Sequence, residues 1–504
     1  MVPSTSRALG ASFATSRGRQ IRPEAIGLVV TACGIIVLAS WWFVDARNLP
    51  TVAFAAVAIA LSVGVAFLIE RAQGIIAATP VIGSLSLIVL SWPLTTIYFA
   101  FAFPQGSYET LAGRVQFLDE AILLNVAVIV FVVGFGLGLA PFLRGKNRER
   151  FVDRGLSATQ MTLVERGAAL AGLAAVTGGW AGNLLLVQGN LLFVANASRN
   201  FLSGFVFVYG YRWHMLGRAK RWAVAAVLLI GALVNTIANA RGLALSPIAF
   251  VVAGYLLAPT TSRKVRIVLI VAIAVILPIY AVVGNQTRMA LSSIGFEDFR
   301  QRAYVLAEAV KSSNVVKEQG GFLNDSASRA FSTGGHALIL AHWHKTSLAD
   351  LDVPRYISES LDTVLPMFAS SQPNPVSRVY TGSAILKEYG FYISDKSSVD
   401  VSIIGSLCRA GGPVLVFIGG ILVGFGHVIL ISLLKRGMRR AWGVPFAGIA
   451  LSLSLTVVNL DLIQLSRSFL WTLIYSGALL SLLFALSRLR VKAVANRIPR
   501  AHVF

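Results

Sequence analysis

Long apolar segments alternate with short polar segments along most of the chain. Residues 50–69 and 121–143, for example, are almost continuously apolar. A helix of about 20 apolar residues crosses a hydrocarbon core of roughly 30 Å, and lipid offers no partners for unpaired backbone groups. The pattern therefore predicts an all-α polytopic membrane protein with about twelve transmembrane helices. The predicted spans cover approximately 26–44, 50–69, 77–102, 121–143, 167–188, 200–216, 222–239, 242–258, 267–283, 411–434, 441–459 and 469–487.

One long segment, residues 284–410, contains no apolar run of spanning length. Its residues 296–313 have helical apolar spacing, and a structureless loop of such length is uncommon. We therefore expect a large extracytoplasmic helical loop domain between helices 9 and 10. The predicted organisation is a cytoplasmic N-terminal segment (1–25), transmembrane helices 1–9 (26–283), the periplasmic loop domain (284–410), transmembrane helices 10–12 (411–487) and a cytoplasmic basic tail (488–504).

Positive charge is concentrated in alternate loops. The net charge is +22 although only 13% of residues are charged. Residues 144–166 contain six Lys or Arg, residues 435–440 contain four and the tail from Arg488 contains five, whereas most intervening short loops carry one. This positive-inside pattern predicts cytoplasmic termini, explains the net charge by topology and disfavours nucleic acid as a partner. Two cysteines, Cys33 and Cys408, provide no disulfide framework.

Arginines recur at the ends of spans on the predicted outer face. Arg241, followed by Gly242, lies in a tight turn between two apolar spans. It is either an interfacial anchor whose side chain reaches water or part of an anion site. Guanidinium groups bind phosphate bidentately and stay charged in poorly hydrated sites, which suits the head group of a lipid-linked pyrophosphate. The candidate pyrophosphate-binding residues are Arg199, Arg241, Arg288, Arg378 and Arg409.

Candidate acid–base groups lie in the large loop. His336 follows a flexible Gly-Gly turn and is a candidate general base. Asp362 and Glu388 are candidate bases or sugar ligands, although most such carboxylates are solvated or paired with arginine. The sequence contains no HExxH motif and no cysteine beside its histidines, so we predict no metal and no cofactor. The glycines of 419–426 lie inside a span, where they favour close helix contact.

Two segments resemble Wzy-type polysaccharide polymerases and O-antigen ligases. "NARGLALSPIAFVVAGYLL" (239–257) is similar to a span opened by Ser-Arg-Gly in that family, with Ala240 where the family often has Ser. Residues 377–426 resemble the Gly-rich and small-polar stretch that precedes a span beginning with Gly-Gly. The layout is also similar, with about twelve spans, cytoplasmic termini and one dominant periplasmic loop.

The resemblance implies a glycosyltransferase of the bacterial inner membrane. Its substrate would be an oligosaccharide repeat unit on undecaprenyl pyrophosphate, polymerised into O-antigen, capsule or exopolysaccharide without a nucleotide sugar. A chain-length regulator and a flippase of the same pathway are the implied protein partners, beside the lipid bilayer. The outer arginines would stabilise the pyrophosphate leaving group. The sugar-stacking candidates are Trp343, Tyr356 and Tyr380.

Three alternatives stay open. An O-antigen ligase shares the layout, whereas other lipid-phosphate-sugar glycosyltransferases usually have an acidic pair in the first outer loop, where this chain has Asp45 alone. A transporter or lipid-glycan flippase predicts symmetric halves and a polar pathway, but the chain shows no internal repeat and few charges within its spans. A purely structural assembly component is the third.

Overall fold

The structure, a computed structural model, is a helical bundle. It describes residues 49–102, 107–110, 113–143, 190–237, 241–258, 260–262, 264–269, 272, 294, 298–312, 353–355, 357–358, 402–438, 443–455, 465, 469–470 and 472–478. The helices are α1 (Leu49–Gln73), α2 (Ile75–Ser91), α3 (Pro93–Ala102), α4 (Phe117–Gly138), α5 (Ala140–Leu143), α6 (Asn190–Tyr211), α7 (Arg218–Ile237), α8 (Arg241–Leu257), α9 (Phe299–Ser312), α10 (Ile403–Met438) and α11 (Gly443–Ser454).

Four helical segments of the described chain have the length and composition of membrane spans. They are Leu49–Gln73, Ile75–Tyr98, Ala121–Gly138 and Ile403–Gly437. Shorter apolar helices are Arg221–Ile237, Ser246–Leu257 and Val444–Ser454. The chain therefore has the character of a membrane protein. The predicted spans 26–44 and 167–188 lie outside the described residues, as do most of 267–283, part of 469–487 and most of the loop domain.

A short hairpin interrupts the helical architecture. Strand β1 (Ser107–Thr110) pairs antiparallel with β2 (Gly113–Gln116), so Tyr108 lies opposite Val115. Pro104 and Gly106 disfavour a helix in this stretch. The all-α fold class is therefore confirmed for the bundle, and the hairpin lies in the connection between two predicted spans.

Glycines allow α4 and α10 to pack backbone against backbone. A Cβ atom at Gly420 would overlap the carbonyl oxygen of Phe131, and one at Gly424 would overlap that of Phe135. Gly134 and Gly138 on α4 make the reciprocal approach to α10. The prediction that the glycines of 419–426 serve helix contact is confirmed, and the contact is of the small-residue type common in membranes.

The contacts also fix the relative directions of several helices. Gly210 of α6 lies beside Val251 of α8, and one turn further His214 lies beside Tyr255, so α6 and α8 run parallel. Similarly, Gly134 lies beside Phe417 and Gly138 beside Ile421, so α4 and α10 run parallel.

Helix α11 runs in the opposite direction to α6. The side chain of Ser452 donates to Asn200 Oδ1 at 2.7 Å, whereas Gly204, one turn after Asn200, approaches Pro445. The predicted alternation of spans requires these three relative directions: α6 parallel to α8, α4 parallel to α10, and α11 antiparallel to α6.

Helix α10 is bent near its start. Gly412 has φ 63° and ψ −156°, a left-handed φ that glycine adopts without steric cost. Pro413 follows and opens the second part of the helix, where its missing N–H is not needed. The first part, Ile403–Ala410, is packed into the core: Ile403, Ile404 and Leu407 are fully buried.

Candidate functional site

The structure describes three of the eleven candidate site residues. Arg241, Arg199 and Arg409 all lie in helices. The remaining candidates lie outside the described residues, namely His336, Asp362, Glu388, Arg288, Arg378, Trp343, Tyr356 and Tyr380. The described helices around these three arginines therefore define the candidate site.

Arg241 is the first residue of α8 and follows shortly after the last residue of α7, Ile237. Since consecutive Cα atoms are about 3.8 Å apart, the Cα atoms of these two residues are at most ~15 Å apart. The unpaired N–H groups of the first helical turn make this end of α8 electropositive. Asn235, two residues before the end of α7, is fully buried and donates to Gly231 O at 2.7 Å.

The first helix of the large loop docks at this end of α7. Asp298 caps α9 by accepting the backbone N–H of Gln301 at 3.0 Å. Arg302, only 2% exposed, donates through Nη1 to Ile237 O at 3.4 Å and through Nη2 to Ile294 O at 2.5 Å. A cation at the carboxyl end of a helix satisfies a terminal carbonyl and complements the helix dipole.

Arg302 is a site residue that the sequence pattern does not single out. The helix predicted within 296–313 is confirmed as α9. Arg302 lies on the same face of that helix as Val305 and Leu306, one turn later, both of which are partly buried. An arginine within an apolar stripe is the signal that points to its burial.

The other described candidates lie elsewhere in the bundle. Arg409 is half-buried and precedes the bend of α10. Next to it, a Cβ atom on Gly411 would lie 3.1 Å from Val353 Cγ2, so a second part of the large loop contacts the bundle at this bend.

Arg199 lies within α6, which begins ten residues before the predicted span 200–216. No proline or glycine occurs between Asn190 and Ser203, so nothing in the local sequence ends the helix before Arg199.

A buried polar cluster joins three helices. His427 Nδ1 lies 2.8 Å from Val423 O, and His427 Nε2 lies 2.9 Å from Ser84 Oγ. Because a carbonyl only accepts, Nδ1 carries the proton, and in a neutral ring Ser84 donates to Nε2. Ser84 Oγ also lies 3.1 Å from Ser454 O. Serine paired with histidine is the arrangement of an activated nucleophile, but here both side chains are buried between α2, α10 and α11.

A second polar cluster links α6, α11 and the last described helical residues. Asn200 Nδ2 donates to Thr472 Oγ1 at 3.1 Å, and Ser452 donates to Asn200 Oδ1. All three residues are buried. Neutral hydrogen bonds of this kind hold membrane helices together, so we interpret both clusters as interhelical contacts and not as reaction centres.

The end of α7 is therefore where two arginines enter the structure. Arg302 fixes the loop helix α9 to Ile237, and Arg241 opens α8 shortly after that residue. Among the residues that the structure describes, no three His, Cys, Asp or Glu side chains are grouped so as to hold a metal ion. Comparison with known proteins finds no matching family model, no matching curated protein and no matching solved structure.

Proposed function

We propose that this chain polymerises undecaprenyl-pyrophosphate-linked oligosaccharide repeat units into surface polysaccharide. In this proposal it is a multi-pass protein of the bacterial inner membrane with twelve spans, cytoplasmic termini and a periplasmic loop domain at 284–410. The reaction takes place on the periplasmic face, where both lipid-linked substrates are presented. The carrying observation is the buried contact between Arg302 and Ile237 O, which holds the first loop helix at the end of α7 that leads into Arg241.

The directions of the helices support this topology. If α6 and α8 both end at the cytoplasmic face, then α7 ends at the outer face together with the start of α8. The proposed periplasmic loop contacts α7 at that end, through Arg302. The clusters of Lys and Arg at 217–221 and 259–266 then lie at the opposite, cytoplasmic end.

The chemistry is glycosyl transfer with pyrophosphate as the leaving group. A sugar hydroxyl of one lipid-linked unit attacks the anomeric carbon of the growing chain. The new C–O bond forms as the bond between that carbon and the pyrophosphate oxygen breaks. The hydroxyl proton passes to a base, for which His336, Asp362 and Glu388 are the candidates, and the bonding electrons leave with undecaprenyl pyrophosphate.

Arginines supply the stabilisation that this leaving group needs. Negative charge develops on the pyrophosphate in the transition state, and a pre-positioned guanidinium stabilises it. Arg241, with Arg288, Arg378, Arg409 and Arg199 as further candidates, is proposed for this role. Arg302 is not, because its two terminal nitrogens donate to backbone carbonyls. Arg302 is instead a positioning residue for the loop.

The proposal is tested by Arg241→Ala and Arg241→Lys in a strain that lacks the native gene. We expect both variants to accumulate single-repeat products on a polysaccharide gel, with membrane abundance equal to that of the wild type. Removing a charged group that binds the leaving group is expected to reduce polymerisation by about 100-fold or more. Lysine keeps the charge but cannot form two parallel hydrogen bonds to a phosphate.

Arg436→Ala is the matched control, because Arg436 is an exposed cation in the last turn of α10. The candidate Arg409 lies near the other end of that helix. It should leave polymer length unchanged. Full-length polymer from both Arg241 variants would overturn the role of Arg241. Loss of all surface glycan in the gene deletion, with no single-repeat product, would favour export of the lipid-linked unit and therefore the flippase alternative.

A further inference from the structure

A basic and aromatic surface lies at the other end of α7, remote from Arg241. We name it the basic turn and define it by Arg212, Arg218, Arg221, Lys264 and Arg266. Arg212 lies in the connection between α6 and α7, Arg218 and Arg221 lie in the first turn of α7, and Lys264 and Arg266 follow α8. Contact between the rings of His214 and Tyr255, with centroids 5.2 Å apart, brings the ends of α6 and α8 together here.

The helices that form the basic turn contain no carboxylate side chain. No Asp or Glu occurs between Glu165 and Glu297, whereas eleven Lys or Arg residues occur in that stretch. It is the longest stretch of the chain without an Asp or Glu residue. It includes all of α6, α7 and α8. An anion that complements the surface must therefore come from outside these helices.

The arginines are held close to the protein. Arg212 is 8% exposed, and its guanidinium carbon lies 5.5 Å from the centre of the Tyr211 ring. Arg221 is half-buried, and its guanidinium carbon lies 6.0 Å from the centre of the Trp213 ring. Arg266 Nη2 donates to Ala258 O at 2.8 Å, at the end of α8. Such cations are fixed in position, unlike freely moving surface lysines.

The aromatic residues around this surface are of the kind expected at the depth of lipid head groups. Trp222 is 63% exposed and packs edge-on against Trp213, with ring centroids 6.3 Å apart. Two to three turns along α7, the exposed side chains of Leu229, Ile230 and Leu233 extend the same stripe. Since a helix rises 1.5 Å per residue, the stripe from Trp222 to Leu233 covers about 16 Å of the apolar layer. Exposed tryptophan at the end of such a stripe is typical of the membrane interface.

We propose that the basic turn is a binding site for the phosphodiester head group of an anionic phospholipid of the cytoplasmic leaflet. The head-group phosphate would lie between the guanidinium groups of Arg212 and Arg221, and the acyl chains would lie along the apolar stripe of α7. Basic pockets between membrane helices bind such head groups. The proposal goes beyond the polymerase reaction, because the site is at the face opposite to Arg241 and would stand if that function were wrong.

The test measures lipid retained by the whole protein. The chain is reconstituted with equal amounts of phosphatidylglycerol and phosphatidylcholine, extracted in mild detergent and analysed by native mass spectrometry. We expect the wild type to retain phosphatidylglycerol preferentially. Arg221→Gln and Arg212→Gln should each reduce that preference about fivefold, since each cation near the membrane surface contributes a factor of that size.

Two controls keep the result specific. Arg436→Gln removes an equal charge from the end of α10, on the same predicted face, and should leave the preference unchanged. Because Arg212 is buried, the less buried Arg221 is tested alone, with melting temperature as a check of folding. Equal retention of both lipids by the wild type would overturn the proposal. So would an equal loss in Arg436→Gln, which would indicate a general effect of net charge.

Discussion

At the residue scale, Arg302 shows how one buried side chain attaches a loop to a membrane bundle. A guanidinium that is 2% exposed needs partners for its donors. It has them in the carbonyls of Ile237 and Ile294. Arg302→Ala is expected to release α9, because a buried hydrogen bond to a charged group is typically worth about 1.5–3 kcal/mol. Hydrogen exchange measured by mass spectrometry should be at least about tenfold faster in residues 299–312.

Arg300 provides the matched control for this experiment. It lies on the same helix and carries the same charge, but its side chain is exposed. Arg300→Ala should therefore leave hydrogen exchange in α9 unchanged. If both substitutions accelerate exchange equally, the contact with Ile237 does not hold the helix.

The sequence predicts part of this site and misses part of it. Arg241 is recognisable because it stands alone between two apolar runs, and α9 because its apolar spacing is local. The burial of Arg302 depends on which helix end it meets, and that partner lies 65 residues away in the chain. The pairing of Ser84 with His427 is non-local in the same way, over 343 residues. Local periodicity contains no information on such pairs.

At the element scale, the packing of α4 against α10 depends on the absence of side chains. Gly420→Ala and Gly424→Ala would each drive a methyl group into a backbone carbonyl of α4. Backbone cannot move aside as a flexible side chain can, so we expect each substitution to destabilise the protein by about 1–3 kcal/mol or more. The measurement is the melting temperature of the purified protein in detergent.

Gly426 tests whether this effect comes from contact or from helix propensity. It lies on the same helix, and a Cβ atom there would be 3.8 Å from Phe469 Cζ, which is ordinary van der Waals contact. Gly426→Ala should be neutral or slightly stabilising, because alanine favours helix over glycine by about 1 kcal/mol. Destabilisation by all three substitutions alike would contradict close packing of α4 on α10. The small residues of α10 are visible in the sequence, whereas their partner helix is not.

At the scale of the whole molecule, the charge pattern and the helix contacts are independent indications of topology. The positive-inside pattern orders the spans by loop charge alone. The contacts order them by geometry: α4 runs with α10, and α6 runs with α8 and against α11. The loop charges and the helix contacts therefore indicate the same relative helix directions, although they are independent observations. What the sequence cannot supply is the neighbour of each helix, because lipid-facing and helix-facing residues are equally apolar.

Cysteine labelling tests which face is which. In a chain with Cys33→Ala and Cys408→Ala, a single cysteine is introduced either at Gln301, exposed on α9, or at Thr260, exposed after α8. We expect a membrane-impermeant maleimide to label Gln301→Cys in intact spheroplasts and Thr260→Cys only after lysis. The reason is that α8 separates the two ends, with Arg302 of the loop at one and the basic turn at the other.

Each result of the labelling bears on the reaction. The proposed polymerisation at the outer face requires that Arg241 and the loop helix α9 both lie there. Labelling of Thr260→Cys alone in intact spheroplasts would invert the chain and place Arg241 in the cytoplasm, where it could not meet a periplasmic substrate. Labelling of both would mean that α8 does not cross the membrane. Labelling of Gln301→Cys alone would leave Arg241 beside the outer leaflet, where a guanidinium can reach the pyrophosphate of a lipid carrier without leaving the membrane surface.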